Sequence, residues 1–566
     1  RSATESRAVL GITDAYDLPS LPGIGYLKSP DGTITRFRAS YVSGVPKGLD
    51  GETTTFQYAV EQMRGKGNPA HVVWLPPLVT PNSLDDFMPD LTVTKEYGLI
   101  SPRWRNAGAL VVPCALEDKP REQRRDVMAL NLAGAGGHVA VVGGPLSGKS
   151  MMLRSIVASL ALTHSPLEVQ FYVIDCGGGA FSSMDGLEHV SGIAAGNEDE
   201  KVRRTLAEVS GIIDARERFF KEQRIDGMDA YRRRRAEGKV DDGYGDVFLV
   251  IDGWGVFRGD YDELETKVQQ IVARGLTFGV HVLFSANRWM EIRANISDLI
   301  GTKLELRLGD PSDSQIDRHV ADTVPKGAPG RGLSANKLHT LAALPRIDGG
   351  HDAATVSDGI NDLIAKVRSA WQGHPHGPKL RLLPENLPYE AMMASVMRQK
   401  ASNQLAKGNM VVGIDENALS PVVFDFNTEP HCYLFGDAGS GKSTFLRVII
   451  NEIVRSYPDG KAKIFMLDYR RANLAQIPQS HFGAYLTNDE QATESLDALA
   501  EFLKTRIPGQ DVTAEQLRDR SWWTGSEVYV LVDDYDLVST SRGNPLRALV
   551  PYLAQASDLG LHVVVA

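Results

Sequence analysis

An α/β fold of tandem modules, each a mainly parallel sheet covered by helices on both faces, is what the sequence predicts, and three observations predict it. A Gly-rich segment occurs twice, as GGPLSGKS over residues 143–150 and GDAGSGKS over 436–443, each time between an apolar run and a helical pattern. Four landmarks recur in the same order at matched spacings. Strand patterns alternate with helical patterns at 202–220, 264–273 and 496–506, which argues for parallel sheets buried on both faces.

The Gly-rich segments come first because they carry the chemistry. The first consists of Gly143, Gly144, Pro145, Leu146, Ser147, Gly148, Lys149 and Ser150. It follows the apolar run 138–142 and precedes Met151-Met152-Leu153. The second consists of Gly436, Asp437, Ala438, Gly439, Ser440, Gly441, Lys442 and Ser443, between 432–435 and 444–447. Both fit GxxxxGK followed by Ser or Thr, in the strand, loop, helix setting that a phosphate-binding loop requires. Successive backbone N–H groups and the start of the helix cradle phosphate oxygens. On this reading Lys149 and Lys442 reach the β and γ phosphates of ATP, and Ser150 and Ser443 hold Mg²⁺. An ordinary Gly-rich turn is the competing reading, and the second copy counts against it.

The spacings extend the repeat. Lys149 and Lys442 are 293 positions apart (442 − 149), as are Asp175 and Asp468 (468 − 175), each ending an apolar strand pattern. Asp252 (DVFLVID) and Asp533 (VYVLVDD) are 281 apart (533 − 252), as are Gly279 and Gly560 (560 − 279). One change of length between the second and third landmarks means two homologous modules.

The ends extend it further. Ser314 leads to Pro329-Gly330-Arg331-Gly332-Leu333, and near the start Ser6 leads to Pro22-Gly23-Ile24-Gly25 at nearly the same spacing. The expected division is therefore a tail of a first module (1–45), a connector (46–105), a second module (106–371), a connector (372–410) and a third module (411–566) truncated at its C-terminal end. The chain is read as a fragment cut at both ends. Prolines in both connectors favour extended segments lying on a neighbour's surface over helices.

Composition sets the limits. At 566 residues the chain is too long for one core, and 42% hydrophobic with 23% charged residues is ordinary for a globular protein. Lys+Arg 61 against Asp+Glu 71 gives a net charge of -10, so nucleic acid is not the expected partner, although a local basic lining can hide in an acidic total. Cys114, Cys176 and Cys432 show no metal-ligand spacing and read as buried thiols in a reducing, cytoplasmic setting. No apolar run is long enough to span a bilayer and no signal peptide opens the chain; an anchor, if the protein works at a membrane, lies outside this sequence.

Hydrolysis of ATP on this scaffold needs a carboxylate holding Mg²⁺ through water and a residue that orients the attacking water. Asp252 and Asp533 are the expected Walker B carboxylates; strand-end aspartates that cap the next element are the alternative. The next residue, usually Glu, is Gly253 in one module and Asp534 in the other. Glycine supplies no base, so the middle module is expected to bind ATP and hydrolyse it poorly. In the last module Asp534 or Asp536 has to reach the water, and loss of a positioned base typically costs about 10²–10⁴ in rate.

Other residues leave two readings each. Ser285 and Asn287 are a γ-phosphate sensor or satisfied turn residues. Arg288 or Lys303 reaches a neighbouring subunit's nucleotide or does not. The run Arg232–Arg235 reads better as a solvated helix face than as a nucleic-acid track, and Trp522-Trp523 is core or part of a peptide-binding surface.

With these residues in view, the chain resembles the FtsK/SpoIIIE group of motor ATPases, and specifically the EccC family of type VII (ESX) secretion. The segments that carry the resemblance are VWLPPL (73–78), YGDVFLVIDGW (244–254), FGVHVLFSANRW (278–289), GTKLELRLGD (301–310), APGRGL (328–333), LPRIDG (344–349) and RDRSWW (518–523). The resemblance implies P-loop NTPase modules of the RecA/FtsK-like kind, three in tandem behind a membrane-anchored N-terminus, the first the most competent for hydrolysis. It implies assembly as hexamers at the cytoplasmic face of the inner membrane, with other membrane components of the ESX complex. It also implies recognition of secreted WXG-motif proteins through a C-terminal signal, with the last module implicated. A DNA translocase of the same superfamily and a non-hydrolysing, ATP-bound scaffold are the alternatives.

Overall fold

The computed structural model describes residues 2–41, 44–48, 51, 53–68, 75–398, 405–416, 419–541 and 543–566; Val73 and Trp74 of the VWLPPL segment lie outside them. The chain divides into two compact units, Arg1–Pro76 with Arg121–Gln123, and Pro77–Pro120 with Arg124–Ala566.

In the smaller unit, helix Ala3–Leu10 begins at Ser2, whose hydroxyl accepts from the Glu5 N–H while the Glu5 carboxylate accepts from the Ser2 N–H, and it ends at Gly11 in the left-handed conformation. Strands β1 (Ile24–Lys28) and β2 (Ile34–Arg38) pair as an antiparallel hairpin. Helix Thr55–Met63 follows, capped reciprocally by Thr54 and Gln57. The expectation of extended connectors is therefore corrected in part. A Thr-x-x-Gln capping box starts a helix in the first connector, and the second holds helix Tyr389–Arg398.

In the larger unit, β3 (Thr92–Thr94) and β4 (Gly98–Ile100) form a short hairpin. A ten-stranded sheet then uses β5 (Val111–Lys119), β6 (Arg124–Asn131), β7 (Val139–Val142), β8 (Val169–Asp175), β9 (Val190–Ala195), β10 (Asp246–Asp252), β11 (Val280–Ala286), β12 (Thr302–Leu306), β13 (Arg331–Leu333) and β14 (His339–Ala342). Its order is β6-β5-β14-β13-β12-β7-β11-β10-β8-β9. The run from β12 to β9 is parallel, and β13, β14, β5 and β6 extend it with antiparallel pairs.

Alternation along the strands explains why both faces are covered. Phe171, Val173, Phe248 and Val250 enter one core with the P-loop helix Lys149–Ala161 and helix Val356–Trp371. Tyr172, Ile174, Leu249 and Ile251 enter the other with helices Asp199–Gln223 and Glu265–Gly275.

The last module repeats this on a smaller scale. β15 (Asn409–Ile414) and β16 (Pro421–Asp425) form a hairpin. β17 (His431–Tyr433), β18 (Ala462–Asp468), β19 (Phe482–Leu486), β20 (Glu527–Asp533) and β21 (Leu561–Val565) form a parallel sheet of order β17-β21-β20-β18-β19. Val528, Val530 and Val532 face one core, and Tyr529 and Leu531 the other.

The duplication also reaches the ends of the strands opposite the P-loops. In the middle module Arg232 pairs with Asp246, which meets Nε2 of His281 at 3.1 Å, and that ring stacks on Phe248. In the last module Arg520 pairs with Glu527, which meets Nε2 of His562 at 3.3 Å, and that ring stacks on Tyr529. Buried arginines mark the same ends. Arg216 donates to the carbonyls of Phe278, Tyr244 and Gly245, and Arg506 to those of Leu559 and Ser526. No helix among the described residues is long and apolar enough to cross a membrane.

Candidate nucleotide sites

Each P-loop turns from the end of a strand into the start of a helix whose first N–H groups have no side-chain cap, because the preceding residue is a glycine, Gly148 at φ 101° and Gly441 at φ 98°. A Cβ on Gly148 would lie 2.8 Å from the Gly330 nitrogen, which donates to the Ser147 carbonyl at 2.8 Å, so the APGRGL turn braces the loop. Lys149 Nζ donates to the carbonyls of Gly143 and Gly144, both at 2.9 Å, and burial draws its pKa down. Lys442 does the same with Gly436 (2.9 Å) and Asp437 (3.1 Å). Both ammonium groups therefore stand at the mouth of their loops. Ser150 and Ser443 follow as the second residues of the two helices.

The carboxylates meet these loops through strand register. Asp175 on β8 is level with Asp252 on β10, and Asp468 on β18 is level with Asp533 on β20. Asp175 binds its own loop, accepting from the N–H groups of Gly177, Gly179 and Phe181. Asp252 is buried; one oxygen accepts from the Ser285 hydroxyl, and Oδ2 has no hydrogen-bond partner among the described residues. A Cβ on Gly177 would come within 2.5 Å of that oxygen. Burial raises the Asp252 pKa above its ordinary value. Asp533 is also buried, with Oδ2 held by the Asn473 amide at 2.9 Å and Oδ1 unpartnered among the described residues. In the middle module a buried carboxylate oxygen without a donor, on an aspartate that interacts with Ser150 at the head of the P-loop helix, fits a Mg²⁺-bound water, and the unpartnered oxygen of Asp533 is of the same kind.

The position after each aspartate differs. Gly253 sits at φ 86°, and a Cβ there would lie 2.9 Å from the Cys176 carbonyl carbon and 3.0 Å from the Gly177 nitrogen. The space for a base is filled by backbone. Asp534 sits at φ 53° with Oδ2 3.1 Å from Arg470 Nε, and Asp536 is exposed on the short helix Tyr535–Val538.

The remaining candidates make contacts within the chain. Ser285 lies against Asp252 and accepts from the Gly253 N–H at 2.8 Å, while Asn287 is exposed and its N–H donates to Glu291. Arg288 pairs with Asp313 at 2.7 Å, and Lys303 donates to Gln315 and lies over the Trp289 ring. The reading of the arginine run as a solvated face is corrected in part: Arg233 is exposed, while Arg232 binds Asp246, Arg234 the Gln223 carbonyl, and Arg235 both Asp241 and the Leu167 carbonyl. Trp522 and Trp523 are half-buried around Arg506. Trp522 donates to the Arg506 carbonyl, and the Arg506 guanidinium lies 3.9 Å from the Trp523 ring centroid.

Sequence reasoning missed a difference at the sheet edges. Alongside β9, connector residue Leu380 donates its N–H to the Ser191 carbonyl at 2.8 Å, and Arg204 donates to the Arg381 carbonyl at 2.6 Å. Alongside β19 the matching place is an open pocket of ≈ 300 Å³ lined by residues that include Phe465, Phe482, Leu499, Phe502 and Arg506.

The profile of the FtsK/SpoIIIE family matches residues 113–348 and 392–565. ESX secretion system protein EccC of Thermomonospora curvata is 42% identical over the whole of this chain. The chain spans about half the length of the curated relatives it matches, 45% of that protein and 46% of another. The solved cytoplasmic domain of the Thermomonospora curvata type VII secretion ATPase EccC superposes with a TM-score of 0.85 at 45% identity, covering 100% of this chain and 64% of that one. A structure of ATPases 2 and 3 of the same protein, in complex with a signal sequence peptide, gives a TM-score of 0.78 at 45% identity, over 87% of each chain.

Proposed function

The chain belongs to the FtsK/SpoIIIE family, and on that premise we propose that it is the ATP-binding, regulatory part of a type VII protein secretion motor acting at the cytoplasmic face of the inner membrane. The observation that carries this is the pairing, in both modules, of an intact P-loop with a buried aspartate that keeps one oxygen unpartnered among the described residues, while the place of the water-activating base is closed or engaged. In the middle module Gly143 to Ser150 hold ATP, and Ser150 and Asp252 hold Mg²⁺. In the last, Gly436 to Ser443 hold ATP with Ser443 and Asp533 on Mg²⁺, and Asp534 stands where a base acts. Bound ATP shifts each module only by its different affinity for the module's conformations. The middle site, without a base, is a long-lived clamp.

Secreted WXG-motif proteins are the proposed cargo, recognised through a C-terminal signal in the pocket beside β19. The relative solved with a signal sequence peptide supports this reading. So does the middle module, whose own connector meets the matching edge through the Leu380 N–H and the Ser191 carbonyl, a backbone hydrogen bond of the kind an extended peptide makes. Assembly as hexamers and contact with other membrane components of the ESX complex belong to the same proposal.

The test is ATP binding and turnover by this chain beside Lys149→Ala and Lys442→Ala, with and without a peptide carrying the C-terminal signal. Nucleotide bound at both sites with negligible turnover, and peptide binding to the last module, are the expected results. Robust turnover abolished by Lys149→Ala overturns the clamp. Steep DNA-stimulated turnover points instead to a DNA translocase.

A further inference from the structure

The two modules hold their strand-end aspartates with different donors, and the exchange is reciprocal. In the middle module the donor is Ser285, the residue after Phe284 on β11. Ile251 pairs with Phe284 in register, and Val532 pairs with Val565 in the same way 281 positions later (532 − 251; 565 − 284). The residue after Val565 is Ala566, whose side chain has no donor to offer.

The donor to Asp533 comes instead from the loop after β18. Asn473 is fully buried, and its Nδ2 donates to Asp533 Oδ2 at 2.9 Å. Its Oδ1 accepts from Nε of Arg447, on the P-loop helix Lys442–Ser456, at 3.1 Å, and its backbone N–H donates to Asp468 Oδ2 at 2.7 Å. Both ends of the amide are thus fixed by partners of one polarity only, a carboxylate and a guanidinium. In the middle module the N–H that makes the equivalent bond, to Asp175 Oδ2 at 2.8 Å, belongs to Phe181, whose side chain donates nothing.

We infer that Asn473 is the positioning residue of the last module's Mg²⁺ site, doing from the β18 loop what Ser285 does from β11. It ties one oxygen of Asp533 and leaves Oδ1, which has no partner among the described residues, available to accept from a Mg²⁺-bound water. This rests on the last module holding Mg·ATP, as proposed above.

The experiment uses the whole chain in a Lys149→Ala background, so that only the last P-loop reports, and measures binding of a fluorescent ATP analogue in Mg²⁺ and in EDTA. Asn473→Ala is expected to weaken binding about ten-fold or more in Mg²⁺, the scale of a lost hydrogen bond to an ionised group, and to leave the EDTA value unchanged. Adding Ala566→Ser restores most of the loss by supplying the middle module's donor. Asn473→Leu, which keeps the volume without the donor, serves where Asn473→Ala does not fold. Unchanged affinity in Mg²⁺, an equal loss with and without Mg²⁺, or a double variant no better than Asn473→Ala overturns the inference. Absence of binding by the Lys149→Ala parent overturns the nucleotide reading itself, and the inference with it.

Discussion

Restoring the missing base of the middle module by Gly253→Glu should damage the module without creating a catalyst. Gly253 sits at φ 86°, a conformation that costs an L-residue roughly 1–2 kcal/mol. The new Cβ would lie 2.9 Å from the Cys176 carbonyl carbon and 3.0 Å from both the Cys176 oxygen and the Gly177 nitrogen. These are backbone atoms of a loop pinned by Asp175, so relief requires moving the loop, at about 1–3 kcal/mol for an overpacked site. The two terms together come to roughly 2–5 kcal/mol, which lowers the calorimetric midpoint of a module of this size by about 4–20 °C. Gly253→Ala should show most of that fall, since the clash begins at Cβ. Turnover, read by phosphate release in a Lys442→Ala background, should stay at the parent level. A Gly253→Glu protein that melts with the parent, or that hydrolyses ATP ten-fold faster, would refute the reasoning.

The last module should respond in the opposite sense: Asp534→Glu with Arg470→Ala adds a methylene at a position that already carries a side chain and frees it from its ion pair, so turnover in a Lys149→Ala background should rise by about 10²-fold or more with little change in melting. Phe502→Asp, in the wall of the β19 pocket and 48% exposed, should cost under about 1 kcal/mol of stability yet abolish binding of the signal peptide by fluorescence anisotropy. Acid should weaken the middle module through His138, whose Nε2 donates to the Val272 carbonyl at 2.9 Å while Nδ1 accepts from the Val282 N–H at 3.0 Å. Burial pulls its pKa down to about 4. The unfolded chain takes up the proton first, near pH 6.5, so stability is full above that pH and falls by up to about 3 kcal/mol as the pH drops to 4. Thermal midpoints across that range should show the fall, and His138→Asn should flatten it.

The duplicated frame was legible because its signals are local. Both Gly-rich segments, the apolar runs ending in Asp175, Asp252, Asp468 and Asp533, and the 293 and 281 spacings can be read along the chain, and register sets each pair of aspartates level. Partnerships between distant residues were not. Arg234 and Arg235 look like a charged helix face until Gln223 and Asp241 from neighbouring turns close on them. Arg216 and Arg506 cap strand ends through carbonyls, which leave no trace in sequence. Helix Thr55–Met63 was legible in principle, since Thr54 and Gln57 spell a capping box, but the prolines nearby argued louder for an extended connector. Asn473 lies in a loop with no motif of its own, and only the absence of a hydroxyl at Ala566 gives its position meaning.

The lysines that bridge their own loops bear on how fast these sites fill. With Nζ already holding two carbonyls, each P-loop keeps its turn before any phosphate arrives, and entry exchanges those contacts instead of ordering a slack segment. Association should then proceed at similar speed in the two modules. In the middle module the Gly330 turn adds a second hold on the loop, so nucleotide bound there would leave slowly.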